Sequence, residues 1–247
     1  RLAQRIISVL TVMTQEGNVY EIDTQLRPSG NQGPLVTSLP GYRDYHEKSA
    51  APWERQALIR ARVVAGSPAL AESYYALTTQ AVYERPLPQN LASEIYRLRQ
   101  RMEKELGKED QQQRNIKTGR GGMVDVEFLA QYLQLRHGQD NHALRCRNTV
   151  DALTALHQEG LLTEKDYSSL VSGYKFLRRM ENKLRLVHDQ SINKLNADPE
   201  YLTKLARHLG YPGQPVRPGQ ALLEEYAQVT HEIRSIFDHY LAGQGDG

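Results

Sequence analysis

The stretch GRGGMVDVEFLAQYLQLRHG, residues 119–138, decides the fold class. Val124, Phe128, Tyr132 and Leu135 recur at three or four residues, which on an α-helix sets them along one stripe, and Gly138 supplies a stop. Gly121 and Gly122 stand at the entry of that helix, with Lys117 and Arg120 just before them. Two readings follow: exposed amides and positive side chains suit an anion, or the missing Cβ atoms let the helix start pack closely against a neighbour. Asp125 and Glu127 are two residues apart and face different directions, which makes a poor carboxylate dyad. Glu127 is placed to tie the helix to a nearby arginine.

Helical signals continue downstream. Asn148 or Thr149 can cap TVDALTALHQEG, and Thr163 with Asp166 forms a capping-box pattern before Tyr167, Leu170, Tyr174, Leu177 and Leu184. Asp198 and Pro199 open another helix that Gly210 closes, and a last helix from about Gly219 carries Leu222, Tyr226, Val229, Ile233, Ile236 and Tyr240. Arg178, Arg179, Lys183 and Arg185 surround Glu181 as a basic, solvated helix face. Upstream, GKEDQQQRN (107–115) reads as an exposed loop and Leu91 to Leu106 as a charged helix. The two prolines of ERPLPQN (84–90) mark a domain boundary, so we expect one domain over 1–86 and a helical bundle over 87–247.

The first part is less uniform. A helix in progress over Leu2, Ile6, Leu10 and Met13 stops at Gly17 and Asn18. VYEIDTQLRPSG (19–30) then alternates, with Tyr20, Ile22, Thr24 and Leu26 on one face and Glu21, Asp23, Gln25 and Arg27 on the other, which predicts a strand. The turn PSGNQGP and a second short strand LVTS follow, then a short helix around Tyr42–Glu47, one from Pro52 to about Val64, and one opened by Ser67 and Pro68. The expected class is therefore mainly α, a few strands of an α+β domain followed by a helical bundle. On a strand Asp23 and Arg27 share a face about 13 Å apart. A carboxylate there suits Mg²⁺ and an arginine suits phosphate oxygens, while a solvent-facing edge strand explains the same alternation.

Composition bounds the function. The chain has 247 residues, 39% hydrophobic and 24% charged, with Lys plus Arg at 31 against Asp plus Glu at 29, which lacks the basic excess of a dedicated nucleic-acid binder. A contact through Arg97, Arg99 and Arg101 is disfavoured on the same ground. A single cysteine, Cys146, with no Cys/His metal spacing points to a reducing, cytoplasmic compartment. No apolar run is long enough to span a membrane.

YEIDTQLRPSGNQGPLVTSL (20–39) with WERQALIRARVVAG (53–66) resembles the end of the catalytic domain in glutamine synthetase adenylyltransferases. NIKTGRGGMVDVEFLAQYLQL (115–135) resembles the opening of the helical domain behind it, and FLRRMENKLRLVHDQ (176–190) a later helix of the same family, so the likeness covers nearly the whole chain. The resemblance implies a nucleotidyltransferase fold in which a G-S-x-D-x-D signature supplies two carboxylates and a later strand a third. Asp23 matches that third carboxylate, as catalytic and metal-binding residue. Arg27, Ser29, Gly30 and Gly33 fall in the adjoining loop, where they would contact the nucleotide. The family attaches AMP from ATP, with Mg²⁺, to a tyrosine of glutamine synthetase in one half and removes it by phosphorolysis in the other.

The G-S-x-D-x-D signature itself does not occur in these 247 residues. The resemblance therefore implies a C-terminal piece of the adenylylating half, inactive alone, with the deadenylylating half as the alternative. A different alternative is a helical docking module for glutamine synthetase or a PII-type signal protein.

Overall fold

The computed structural model describes every residue except 16, 18, 19, 21, 111, 189–192, 214–216 and 243–247, and every described side chain except those of 187 and 188. Two compact units divide at Pro86 and Leu87. The chain is mainly α: ten α-helices and one two-stranded sheet form among the described residues.

Unit 1 contains α1 (Leu2–Thr11), α2 (Leu39–Lys48), α3 (Pro52–Leu58) and α4 (Pro68–Thr79), the last running on as a π-turn at Gln80–Glu84. Ser38 and Ser67 cap α2 and α4 by accepting from the Gly41 and Leu70 amides, each at 3.3 Å. The core gathers Ile59, Leu77, Ala81, Val82 and Tyr83. Buried Arg55 closes the π-turn by donating to the carbonyls of Val82, Arg85 and Pro86 at 2.8–3.0 Å, which satisfies acceptors that a helix end leaves free. Burial lowers the Arg55 pKa to about 10, with the neighbouring Arg85 charge adding to the effect.

Two expectations fail here. Ile22–Gln25 and Leu35–Ser38 form no strand, and the only pairing of described residues in unit 1 is an isolated bridge between Thr14 and Gly17. An alternating sequence becomes a strand only when a neighbour completes its hydrogen-bond ladder, and no such neighbour lies beside these residues. Glu21 lies outside the described residues. α3 also stops at Leu58 instead of reaching Val64. Its last turn tightens into bonds from Ile59, Arg60 and Ala61 to the residues three back, and the Tyr75 hydroxyl accepts the Val63 amide at 3.0 Å.

Unit 2 is the helical bundle. It runs α5 (Leu91–Met102), a π-turn (Glu103–Gly107), β1 (Gln113–Asn115), α6 (Met123–His137), α7 (Thr149–Gln158), α8 (Glu164–His188), β2 (Lys194–Asn196), α9 (Pro199–Leu209) and α10 (Pro218–Leu241). The sheet sits here and not near the N-terminus: β1 pairs antiparallel with β2, Arg114 opposite Leu195. Part of the segment expected to be an exposed loop is thus a strand ending in buried Asn115, whose side-chain oxygen accepts from the Lys117 and Thr118 amides at 3.1 and 2.9 Å.

Helix ends follow the sequence signals. Asn148 caps α7, Thr163 and Asp166 bond reciprocally at 2.8 and 3.1 Å, Asp198 caps α9 and left-handed Gly210 ends it.

α6 departs from the one-stripe reading. Val126, Leu129 and Leu133 are as buried as Val124, Tyr132 and Leu135, so the helix is enclosed on nearly every side and forms the centre of the bundle. On α10, Phe237 and Leu241 join Leu222, Tyr226 and Ile233 inside, while Val229, Ile236 and Tyr240 are only half-buried. A straight helix turns slightly less than the assumed repeat, so the buried face drifts along a long element. Glu181 on α8 is 1% exposed, clasped by Arg178 and Arg185 at 2.6 and 2.9 Å, so the expected basic face is built around a buried carboxylate.

Candidate functional site

Unit 1 presents Asp23 at its surface. One carboxylate oxygen accepts the amide of Gln25 at 2.8 Å, a two-residue turn that fixes the side chain against its own backbone. Arg27, half-buried, folds back on the loop that follows. Its Nη1 donates to the Thr24 carbonyl, and Nε and Nη2 reach the Gly33 carbonyl at 3.4 Å. Three of the five N–H groups are thereby used inside the loop, leaving two for a ligand.

Ser29 is left-handed (φ 61°) and Gly30 follows at φ 54°; Gly30 donates to the Arg27 carbonyl at 2.7 Å. A Cβ on Gly33 would stand 2.0 Å from the Pro28 carbonyl oxygen, so only glycine closes this loop. The structure therefore gathers Arg27, Ser29, Gly30 and Gly33 in one rigid turn and holds Asp23 exposed at its entrance.

A Mg²⁺ ion needs several oxygen ligands. Among the described residues no group of three or more His, Cys, Asp or Glu is placed to hold a metal, so Asp23 can contribute one ligand and this chain does not complete the set. A cavity of about 1120 Å³ lies between α2 and α4, lined by Leu39, Pro40 and Tyr75 among others; neither Asp23 nor Arg27 borders it.

Unit 2 carries a second polar constellation, around the GRGG motif. Arg99 Nε pairs with Asp125 Oδ1, both side chains fully buried, and Arg99 Nη2 donates to the Gly119 carbonyl at 2.6 Å. Asp125 Oδ2 accepts the Gly121 amide at 2.7 Å and lies 3.6 Å from Arg234, which also reaches Glu103 and Asp238 at 2.8 Å each. Burial pushes the Asp125 carboxyl up, against the pull of Arg99, Arg234 and the Gly121 amide. Burial alone would lower Arg234, yet Asp125, Asp238 and Glu103 outweigh it and raise it.

This settles the two readings of the glycine pair. The Gly121 amide already holds an anion, the carboxylate of Asp125. Gly121 itself is left-handed (φ 69°), and a Cβ there would stand 1.8 Å from the Thr230 carbonyl oxygen on α10. Close packing of the helix start is what the glycine serves. Glu127 accepts the Tyr174 hydroxyl at 2.8 Å, and burial with this carboxylate pushes Tyr174 up to about 12. Asp125, set aside as half of a poor dyad, is the residue on which the network turns. The available signal was a carboxylate inside a stretch that is otherwise apolar on every side, which requires a buried cation.

Comparison with known proteins follows the same division. Residues 1–76 match the family model described as Glutamate-ammonia ligase adenylyltransferase, and residues 89–241, more than half of the chain, match the one described as GlnD PII-uridylyltransferase. A protein of Streptomyces avermitilis named "Bifunctional glutamine synthetase adenylyltransferase/adenylyl-removing enzyme" is 35% identical over 94% of this chain. Proteins of the same name from Methylococcus capsulatus and Acinetobacter baylyi are 32% and 37% identical over 98% and 76% of it. The chain spans only 23%, 25% and 21% of these three relatives.

Both family models describe nucleotidyltransferases, and that is the class to which the two units point. The chain belongs to the glutamate-ammonia ligase adenylyltransferase family, whose members act in nitrogen regulation. No helix among the described residues is long and apolar enough to cross a membrane.

Proposed function

We propose that these residues are part of an enzyme that transfers AMP from ATP to a tyrosine of glutamine synthetase. The observation that carries this reading is the rigid turn Arg27–Gly33 with the Asp23 carboxylate exposed at its entrance, in a region matched by the adenylyltransferase model. Asp23 would contribute one Mg²⁺ ligand and stand at the reacting phosphate; Arg27, Ser29, Gly30 and Gly33 would present their remaining donors to the nucleotide. Unit 1 is the tail of the nucleotidyltransferase domain and unit 2 the helical domain that follows it. Glutamine synthetase is the protein partner, and a PII-type signal protein is a candidate regulator.

Because phosphoryl-transfer sites depend on several carboxylates to neutralise developing charge, the 247-residue chain alone neither attaches nor removes AMP at a useful rate. Purified chain, glutamine synthetase, Mg²⁺ and labelled ATP test this; label appearing on glutamine synthetase would overturn it. The relatives' names pair adenylyl transfer with adenylyl removal, so the second reading is the removing half. Asp23→Asn in the longer protein separates the two: loss of ATP-dependent labelling supports transfer, and loss of phosphate-dependent ADP release from adenylylated glutamine synthetase supports removal.

A further inference from the structure

A cavity of about 490 Å³ opens in unit 2 where the π-turn after α5 faces α10, lined by Glu103, Lys104, Lys108, Glu109, Arg120 and Arg234. Its charges are unequally matched. Glu103 is held by Arg234 at 2.8 Å and faces Arg99 at 3.8 Å; Glu109 accepts the Asn115 and Arg120 amides at 2.9 and 3.3 Å. Arg234 is answered by Glu103, Asp238 and Asp125. On the cationic side, Arg120 reaches Asp238 only at 3.4 Å with 59% of its side chain exposed. Lys104 and Lys108 are exposed and enter no ion pair or hydrogen bond among the described residues. Three cationic heads thus surround a concave volume in which the carboxylates are already engaged.

The backbone at this rim is also unusual. Glu103–Gly107 is a π-turn, a form concentrated at functional sites, and Lys108 is left-handed at φ 43°, ψ 48°. A non-glycine residue there costs about 1 kcal/mol or more, and a helix that merely ended would place Gly or Asn at that position. The adjacent Gly107 answers a different need, since a Cβ on it would come 3.2 Å from the Thr118 carbonyl oxygen. The chain therefore keeps a strained lysine where a glycine would be easier, and that lysine lines the cavity.

We propose that this cavity binds a phosphate-bearing anion, with Lys104, Lys108 and Arg120 donating to its oxygens and the neutralised Arg234 forming a fixed back wall. Flexible ammonium groups pair with phosphate as point charges and Arg120 can fork across two oxygens. The volume falls in the range of small-molecule sites and accommodates a nucleotide as readily as a free phosphate chain. This inference does not rest on AMP transfer.

The test uses the whole 247-residue chain, titrated with pyrophosphate and, separately, ATP, both without magnesium, by calorimetry and amide NMR. We expect saturable binding with shifts concentrated at Glu103–Lys108 and Arg120. Equal affinity for the two probes means that the phosphate chain alone is recognised; tighter ATP binding means that the nucleoside is held as well. Lys104→Ala with Lys108→Gly, the latter suited to the left-handed backbone, should weaken binding at least about tenfold with an unchanged urea midpoint. Lys104→Arg with Lys108→Arg should retain it, and so should Asp23→Asn. Non-saturating shifts, unchanged affinity in the Ala/Gly variant, or loss on Asp23→Asn alone would overturn the proposal.

Discussion

Arg99 on α5 and Asp125 on α6 form an ion pair with both side chains at 0% exposure, and the same carboxylate accepts the Gly121 amide that begins the bundle's central helix. A buried pair contributes little over an apolar replacement, but breaking it leaves a charge with no access to water. Asp125→Ala should therefore destabilise unit 2 by roughly 3–5 kcal/mol, because Arg99 and Arg234 lose their shared partner. Urea denaturation measures it. A double-mutant cycle with Arg99→Met should show strong coupling, and additive losses would contradict the pairing.

Gly121→Ala should cost at least about 3 kcal/mol, since it combines a left-handed backbone with a direct overlap. The new Cβ would lie 1.8 Å from the Thr230 carbonyl oxygen, backbone that cannot step aside without moving α10. Gly160→Ala is the internal control: φ is 71° there too, but nothing lies within 4 Å of the added carbon. Its smaller loss in the same denaturation series isolates the overlap from the dihedral.

Arg27→Ala should loosen the loop without unfolding the unit. The guanidinium holds the Thr24 and Gly33 carbonyls, so the Gly30 and Gly33 amides should exchange with solvent faster while the urea midpoint stays within about 0.5 kcal/mol of the parent, as expected of a surface substitution. Arg27→Lys should not restore protection, because one ammonium cannot span both carbonyls.

His46 makes unit 1 sensitive to mild acid. Burial lowers its pKa below the ordinary 6.5, Glu54 opposes the shift, Arg85 reinforces it, and the Tyr42 and Tyr45 rings enclose the imidazole. Between the lowered folded pKa and 6.5 the unfolded chain binds more protons. Stability is thus fully present above that window and falls as pH drops through it. The melting temperature should decline on going from about pH 7.5 to pH 5.5, and His46→Gln should flatten that decline.

The candidate site was legible only in part. D-x-x-L-R-P-x-G-x-x-G-P identified the residues that share a loop, because glycine and proline spacing encodes local backbone shape directly. It did not reveal that Arg27 turns inward onto its own carbonyls, since the partner of an arginine is chosen by the folded loop. The strand expected over residues 19–26 was drawn from alternation, a pattern that states which faces are polar and is silent on whether a neighbouring strand exists. His188 and Asp189, adjacent in sequence, lie outside the residues whose side chains are described.

The mainly helical class, the helix starts at Asn148, Thr163 and Asp198 and the stops at Gly138 and Gly210 were determined by the sequence itself, because caps, glycines and apolar spacing act within a few residues. Tertiary structure alone decided that α6 is enclosed, that Asn115 closes a strand paired with residues 194–196, and that Asp125 joins Arg99, Arg234 and Gly121. Each of these depends on contacts between segments far apart in the chain, and a buried charge finds its partner only after the helices carrying both have packed.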